Sequence, residues 1–173
     1  MTIVRLATSA DAAGISRVHV DSWRSAYAGL LPGDVIASRT VERRLAYWSR
    51  LLSALPGEQS ATWVLEDDGV VVGFASTGPC RDDDRADPRD FELYAIYLSP
   101  DHWGHGMGRS LAEAALRGLP LTGSTVSLWV LADNDRALRF YAALGFTSDG
   151  AQREEVLGVP LRELRLARHL PYA

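Results

Sequence analysis

Three glycines occupy alternate positions in the segment WGHGMGRS, between a run of strand-forming residues and a segment with helical spacing of apolar residues. A helix N-terminus leaves its first backbone N–H groups unpaired and carries about half a positive charge. A turn without side chains lets phosphate oxygens approach those donors, and Gly104, Gly106 and Gly108 would provide one. On the glycines alone, a crowded turn without a ligand explains the pattern equally well. The spacing matches neither the dinucleotide fingerprint nor a nucleotide P-loop.

Asn134 and Tyr141 lie seven residues apart in NDRALRFYAALGF, a segment with helical spacing. Seven residues are close to two turns of an α-helix, so both side chains face one side and can line one groove. Taken alone, a helix cap at Asn134 and a core position for Tyr141 are the more common roles of such residues.

Glu92 is a carboxylate in an otherwise apolar predicted strand, FELYAIYLSP. Strand alternation predicts that Glu92 shares one face with Tyr94, Ile96 and Leu98. Either Glu92 reaches water at the end of the strand or it has a chemical role.

Helical and strand patterns alternate along the chain, without internal repeats. The predicted elements are a strand at 2–7, a helix from a cap at Ser9 or Asp11 to near Gly29, a helical stretch at 34–53, a hairpin within 61–79, a strand at 91–100, a helix at 110–119, a strand at 125–131, a helix at 134–144 and a hairpin of about 150–157 with 160–168. They predict an α/β fold, of the α+β type, with about seven strands and about four helices.

Length and composition predict the class of protein. The 173 residues, 47% of them hydrophobic, suit a single domain spanning 1–173. Cys80 is the only cysteine and cannot form an intramolecular disulfide, and no signal-peptide pattern or membrane-spanning apolar run is present. We therefore expect a cytoplasmic protein that does not act in a membrane. A net charge of −4 argues against nucleic acid as a partner.

The segments ELYAIYLSPDHWGHGMGRSL and LWVLADNDRALRFYAALGF resemble the GNAT superfamily of acetyl-coenzyme A dependent N-acetyltransferases. The resemblance covers the order of elements over essentially the whole chain and is most specific from Glu92 to Phe146. IVRLATSADAAGI and SWRSAYAGLLPGDV also resemble the first strand and the substrate-side helices of bacterial members. The resemblance implies a mixed, mostly antiparallel central sheet, acetyl-coenzyme A as cosubstrate and no metal.

The resemblance also implies roles for the matching residues. Asn134 would contact the pantetheine arm, Tyr141 would protonate the departing thiolate, and Glu92 would be the base that deprotonates the acceptor. Backbone N–H groups around Tyr97 and Leu98 would orient the thioester. The turn that would hold the pyrophosphate consists of Gly104, His105, Gly106, Met107, Gly108 and Arg109.

One residue departs from the family pattern. That pattern begins with Gln or Arg, three residues before the first glycine of its Gly-x-Gly/Ala part, and this position holds Trp103. An indole cannot repeat the polar contact of Gln or Arg with phosphate. The pyrophosphate site is therefore expected to depend mainly on the backbone.

Two segments could form the acceptor side. Trp23 and Tyr27 repeat at four-residue spacing and could line the acceptor pocket, although such a helix face is more often core. The loop CRDDDRADPRD is typical of a mobile, solvated loop. If this acidic loop borders the acceptor site, it would favour a cationic amine.

The expected function is transfer of an acetyl group from acetyl-coenzyme A to a primary amine by direct attack in a ternary complex, since the only cysteine lies outside the motifs. The acceptor would be a small-molecule or peptide amine that the sequence does not identify, and a homodimer is compatible with it. The alternatives are a non-catalytic acyl-coenzyme A sensor on the same fold and a structural module that binds nothing at the glycines.

Overall fold

A computed structural model describes residues 1–54, 60–85, 87–119 and 125–170 of the chain. Within those residues, strands and helices follow one another from the N-terminal to the C-terminal end. The elements are β1 (Thr2–Leu6), α1 (Ala12–Tyr27), α2 (Gly33–Ala37), α3 (Val41–Ser53), β2 (Ala61–Asp67), β3 (Val70–Pro79), β4 (Asp90–Leu98), α4 (Met107–Arg117), β5 (Thr125–Leu131), α5 (Asp135–Ala143), β6 (Thr147–Val156) and β7 (Pro160–His169).

The seven strands form one sheet in the order β1-β2-β3-β4-β5-β7-β6. Neighbouring strands are antiparallel except for β4 and β5, which run parallel. The predicted α/β fold with a mixed, mostly antiparallel sheet of about seven strands is therefore confirmed. β4 and β5 pair only through Asp90, Phe91 and Glu92. Beyond Glu92 the two strands separate, and one edge of β4 is not paired with any strand of the described residues.

A β-bulge in β4 changes which side chains share a face. Ser76 of β3 pairs with Ala95, whereas the next residue, Thr77, pairs with Leu93, so Tyr94 is an extra residue. Side chains on either side of the bulge therefore do not follow one alternation.

Because of this bulge, the prediction that Glu92 shares a face with Ile96 and Leu98 is wrong. Ile96 and Leu98 pack in the same apolar cluster as Phe91 and Leu93, the two neighbours of Glu92 in the strand. Glu92 alternates with those neighbours and lies on the other face.

Two apolar cores lie on opposite faces of the sheet. α1 and α3 cover one face, with the buried residues Ile15, Val18, Trp48, Val64 and Phe74 at its centre. α4 and α5 cover the other face, around a core that includes Leu111, Ala115, Val126, Leu128, Leu144 and Leu166. The second core holds α4 and α5 on one face of the sheet, next to the point where β4 and β5 separate.

Two helix predictions need correction. Residues 34–53 form two helices instead of one stretch, because the extended backbone of Thr40 separates them and its hydroxyl accepts a hydrogen bond from the Arg43 N–H (3.4 Å). α4 begins at Met107, three residues before the predicted start, because Gly106 caps it with a left-handed φ of 77°.

Candidate active site

A groove of about 530 Å³ opens where β4 and β5 separate. The groove is bordered by β4 from Leu93 to Leu98, the end of β5 from Trp129 to Leu131, the glycine turn before α4, one side of α5, and a tyrosine-rich end to which α1 and β7 contribute. The groove therefore brings together residues that are far apart in the sequence.

Backbone N–H groups of β4 face this groove. The N–H of Ser99 donates to the carbonyl of Val72 in β3 at 2.8 Å. Successive N–H groups along a strand point to opposite edges, so those of Ile96 and Leu98 point away from β3, toward the uncovered edge. They are positioned to donate to a carbonyl bound in the groove. Of the two predicted residues, Leu98 has its N–H on this edge, whereas the N–H of Tyr97 points toward β3.

The glycine turn gives open access to the N-terminus of α4. Gly104 and Gly106 have left-handed φ values of 83° and 77°, and nothing lies within 4 Å of the position that a Cβ would occupy at either residue. Both line the groove, together with Gly108 and Arg109. The first N–H groups of α4 have no partner within the helix and can bind an anion there.

Two residues of the predicted turn do not line the groove. His105 is exposed, and Met107 packs against the core beneath α4. Arg109 does line the groove, but its Nε donates to Glu113 one helical turn later at 2.8 Å. The positive character of the turn therefore comes mainly from the backbone.

Trp103, which departs from the family pattern, contacts both β4 and α5. Its Nε1–H donates to the Leu98 carbonyl at 2.7 Å. The Arg136 guanidinium lies 3.2 Å from the centre of the indole ring, and both residues line the groove. Arg136 makes no ion pair with any described residue, and burial lowers its pKa. Trp103 thus positions at the groove a guanidinium that is exposed to solvent and has no ion-pair partner among the described residues.

Sequence reasoning missed Arg136. The available signal was an arginine in the first turn of α5, where a positive charge opposes the helix dipole.

Asn134 and Tyr141 line the same side of the groove, as their spacing predicts. Asn134 is the N-cap of α5, and its side-chain oxygen accepts a hydrogen bond from the Ala137 N–H (3.1 Å). The amide NH₂ of the same side chain is left to donate to a ligand. Among the described residues, the Tyr141 hydroxyl has no hydrogen-bond partner. The capping role and a ligand-binding role are therefore compatible at Asn134.

Tyr27, Tyr97 and Tyr141 line one part of the groove together with Glu163. Burial raises the pKa of all three phenols, and the negative charge of Glu163 raises those of Tyr27 and Tyr97 further. The three hydroxyls are therefore protonated at neutral pH, and Tyr141 holds a proton that it can give. Glu163 accepts a hydrogen bond from Nε of Arg153 at 2.7 Å.

Sequence reasoning also missed Glu163. This residue lies in β7 between Arg162 and Leu164, in a strand that carries several charged side chains. Unlike Glu92, it is therefore not an isolated carboxylate in an apolar segment. Its place in the groove depends on β7 pairing with β5, which local patterns do not specify.

Trp23 and Tyr27, the two weaker acceptor candidates, have different environments. Trp23 is buried, with 5% of its surface exposed, and does not line the groove. Its ring stacks on that of Tyr27 at a centroid distance of 4.6 Å. Of the two residues, only Tyr27 lines the groove, and Trp23 packs against its ring.

Glu92 does not line the groove. Its side chain is buried, with 3% of its surface exposed, and accepts hydrogen bonds from Nε (2.9 Å) and Nη2 (2.5 Å) of Arg81. The structure therefore does not bring the predicted base together with Tyr141 and Asn134.

Part of the acidic loop before β4 is held by ion pairs, although Asp83, Asp84 and Asp87 are exposed. Asp82 and Asp84 both accept hydrogen bonds from the buried guanidinium of Arg165, at 3.1 and 2.6 Å from its Nη1. Asp82 also accepts from Nε1 of Trp129 at 3.1 Å. These contacts anchor the loop on β5 and β7 and offset much of its charge.

Within the described ranges, no cluster of His, Cys, Asp or Glu could hold a metal ion. None of the described helices has the length and apolar character needed to cross a membrane.

Residues 20–146 match the Acetyltransferase (GNAT) family. An N-acetyltransferase of Bacillus subtilis, YuaI, which is itself uncharacterised, is 35% identical over 169 residues, covering 96% of this chain and 92% of that protein.

Two solved structures share the fold over nearly the whole chain. The PaiA N-acetyltransferase of Thermoplasma acidophilum, in complex with coenzyme A, has a TM-score of 0.71 at 20% identity and covers 98% of this chain and 99% of its own. A protein of Salmonella typhimurium assigned as an acetyltransferase, with its cofactor acetyl-CoA, has a TM-score of 0.70 at 24% identity. The match covers 98% of this chain and 94% of that protein. The likeness at these identities concerns the fold.

Proposed function

The chain belongs to the GNAT family of acetyltransferases, and from this premise we propose that it transfers the acetyl group of acetyl-coenzyme A to a primary amine by direct attack in a ternary complex. The observation that carries the proposal is the groove between β4 and β5. The glycine turn, the free N–H groups of β4 and the Tyr141 hydroxyl all face that one space. A single domain spanning 1–173 would perform the reaction, because one sheet includes strands from Thr2 to His169.

The coenzyme would lie along the groove. Its pyrophosphate would bind the N-terminus of α4 at Gly104–Arg109, with the charge of Arg136 beside it. The Asn134 amide would donate to the pantetheine arm. The N–H groups of Ile96 and Leu98 would donate to the thioester carbonyl, and stabilise the oxyanion that forms when the amine attacks.

The acceptor must lose a proton before its nitrogen can attack, because an amine of pKa near 10.4 is almost fully protonated at pH 7. Glu163 supports this step better than Glu92, because its carboxylate lines the groove. Glu163 would take the ammonium proton, directly or through a water molecule. The amine nitrogen would then attack the thioester carbon.

Tyr141 would supply the proton for the leaving group. When the C–S bond breaks, the sulfur carries the electron pair away as a thiolate, and the phenol would protonate it. Burial raises the pKa of Tyr141, which keeps the phenol protonated but makes it a weaker acid. The same burial disfavours the charged thiolate, so the proton transfer is still feasible. The amide nitrogen loses its remaining extra proton to solvent. Transfer of the proton held by Glu163, directly or through water, to the Tyr141 phenolate would restore both groups.

Thiol release from acetyl-coenzyme A, measured across a panel of primary amines, tests the proposal. We expect release that depends on both substrates and saturates with each, and formation of the N-acetylated amine. Calorimetry with coenzyme A separates the alternatives if no release occurs. Binding without turnover would indicate a sensor, and absence of binding would overturn the assignment of the groove.

A further inference from the structure

A second cavity, of about 410 Å³, lies between the α2–α3 connection and the turn that joins β6 to β7. Arg39, Arg43 and Arg44 line it, with the hydroxyl-bearing residues Ser38 and Thr40. No carboxylate is present among the described residues that line it. The cavity is therefore a concave surface with three positive charges and two hydroxyl groups.

These arginines have no neutralising partner in the described part of the chain. Arg39, Arg43 and Arg44 make no ion pair with any described residue, whereas the buried Arg165 binds Asp84 through two hydrogen bonds of 2.6 Å. Arg44 is half-buried, and both its burial and the charge of Arg39 lower its pKa. Buried or half-buried charges in proteins are normally paired. An anion in the cavity would supply the missing partner.

One aromatic side chain connects the cavity to the groove. The Arg39 guanidinium lies 4.7 Å from the centre of the Trp23 ring, and Trp23 stacks on Tyr27, which lines the groove. The positive charges of Arg39 and Arg44 also act on Tyr97, another residue of the groove. The cavity therefore lies next to the tyrosine-rich end of the groove.

We propose that this cavity binds an anionic group, carboxylate or phosphate, on the acceptor, whose primary amine lies in the groove beside Glu163. The inference rests on the proposed function and specifies its substrate class. The Trp23 ring lies along the path from the arginines to Tyr27, so the anion and the amine are separated by several bonds. Guanidinium groups bind both carboxylate and phosphate through charge-assisted hydrogen bonds, and cannot lose their charge at neutral pH.

A series of matched amines tests the proposal. β-Alanine, γ-aminobutyrate and ε-aminohexanoate are compared with propylamine, butylamine and hexylamine, and phosphoethanolamine with ethanolamine. We expect kcat/KM to be at least about tenfold higher for the anionic member of the best pair, the range of a charged hydrogen bond. Among the carboxylates the longer members should be the better substrates, and the phosphate pair shows which anion is preferred. Equal kcat/KM within every pair would overturn the proposal.

Two variants, Arg44→Gln and Arg39→Gln, localise the effect, with Arg50→Gln on the exposed surface of α3 as the control. In Arg44→Gln and Arg39→Gln, the preference for the anionic amine should fall about tenfold, whereas Arg50→Gln should keep the parental ratio. Circular dichroism establishes that each variant is folded, and the two independent substitutions guard against a local change caused by either one. A full parental preference in both variants would place the anion elsewhere and overturn the assignment.

Binding without turnover separates this inference from the proposed function. Calorimetry measures ε-aminohexanoate binding to the parent and to Arg44→Gln in the presence of coenzyme A, which carries no acetyl group to transfer. Weaker binding to Arg44→Gln supports the anion site even if no amine is acetylated, a result that would refute the proposed function alone. Active acetylation with equal binding to both proteins would refute the anion site alone.

Discussion

Glu92 and Arg81 form a two-point ion pair, with Nε of Arg81 donating to Oε2 at 2.9 Å and Nη2 to Oε1 at 2.5 Å. The backbone N–H of Arg81 donates a third hydrogen bond, to Oε2 at 3.3 Å. The carboxylate is buried, whereas the arginine is largely exposed. Glu92 therefore connects β4 to the segment after β3, and its acceptor capacity is used in doing so.

Glu92→Gln and Glu163→Gln each remove one negative charge, and we expect them to differ in effect. Glu92→Gln should lower the free energy of unfolding by about 1–3 kcal/mol, the range for hydrogen bonds to charged groups, with a small effect on turnover. Glu163→Gln should lower kcat/KM by about 10²-fold near neutrality. Urea denaturation and initial rates of thiol release measure both. A larger loss of kcat/KM in folded Glu92→Gln would return the base to β4.

Tyr141→Phe keeps the ring and its packing but removes the proton donor. We expect kcat to fall by about 10²-fold, within the range for general acid catalysis, while the Kd for coenzyme A measured by calorimetry stays within about twofold of the parent. Tyr47→Phe, on the exposed side of α3, removes a hydroxyl outside the groove and is the control. Turnover equal to that of the control would assign Tyr141 to packing alone.

The glycine turn can be tested with a matched pair of substitutions. Gly106 and Gly150 both have left-handed φ values, 77° and 91°, and open space where a Cβ would lie. Gly106→Ala and Gly150→Ala should therefore each cost about 1–2 kcal/mol of stability. Only Gly106→Ala places a methyl group in front of the α4 N-terminus, so only its Kd for coenzyme A should rise, by about tenfold or more. Equal affinities would argue against phosphate binding at this turn.

Arg136→Gln removes the charge that Trp103 holds beside the turn. We expect the Kd for coenzyme A to rise by about 10- to 100-fold, as for loss of a charged hydrogen bond, and to depend less on salt concentration than in the parent. Arg139→Gln, exposed on the same helix and outside the groove, is the control. If Arg136→Gln behaves like that control, the phosphates do not use this side chain.

Local patterns predict the parts of the site that depend on neighbours in the sequence. The glycine turn and the spacing of Asn134 and Tyr141 belong to this class, because helix geometry fixes which residues share a face. The resemblance supplied their chemical roles. The same patterns cannot specify the bulge at Tyr94, which arises from the register between β3 and β4.

Glu163 and Arg136 show the other limit. Glu163 reaches the groove because β7 inserts between β5 and β6, a pairing of distant segments. Arg136 becomes part of the site because Trp103, far away in sequence, lies beneath its guanidinium. Neither contact follows from composition or periodicity, since both depend on the tertiary arrangement. Thr40 is a residue type that favours helix N-caps, so the sequence did contain a signal for the break between α2 and α3. The apolar residues at helical spacing on both sides of Thr40 favoured one continuous helical stretch instead.

His19 is a buried neutral histidine that should make the stability of the protein depend on pH. Its Nδ1 accepts a hydrogen bond from Nε1 of Trp48 at 3.2 Å. Burial, followed by the positive charges of Arg44 and Arg39, lowers the pKa of His19 to about 3. The unfolded chain binds a proton at this residue with a pKa near 6.5. Below pH 6.5 the unfolded state therefore holds more protons than the native state, and acid favours unfolding.

The contribution of neutral His19 to the free energy of unfolding is fully present above pH 6.5. It is lost as the pH falls toward 3. We expect His19 to lower the free energy of unfolding by up to about 1.4 kcal/mol for each pH unit of acidification. This slope develops between about pH 6.5 and 5, before most carboxylates titrate. Urea denaturation at several pH values measures this slope. In His19→Gln, whose amide oxygen can still accept from Trp48, the slope should be smaller by that amount, whereas His169→Gln, at the exposed end of β7, should keep the parental slope. Equal slopes in the parent and His19→Gln would mean that His19 becomes protonated in the folded protein as readily as in the unfolded chain, and that its burial beside Trp48 does not hold it neutral.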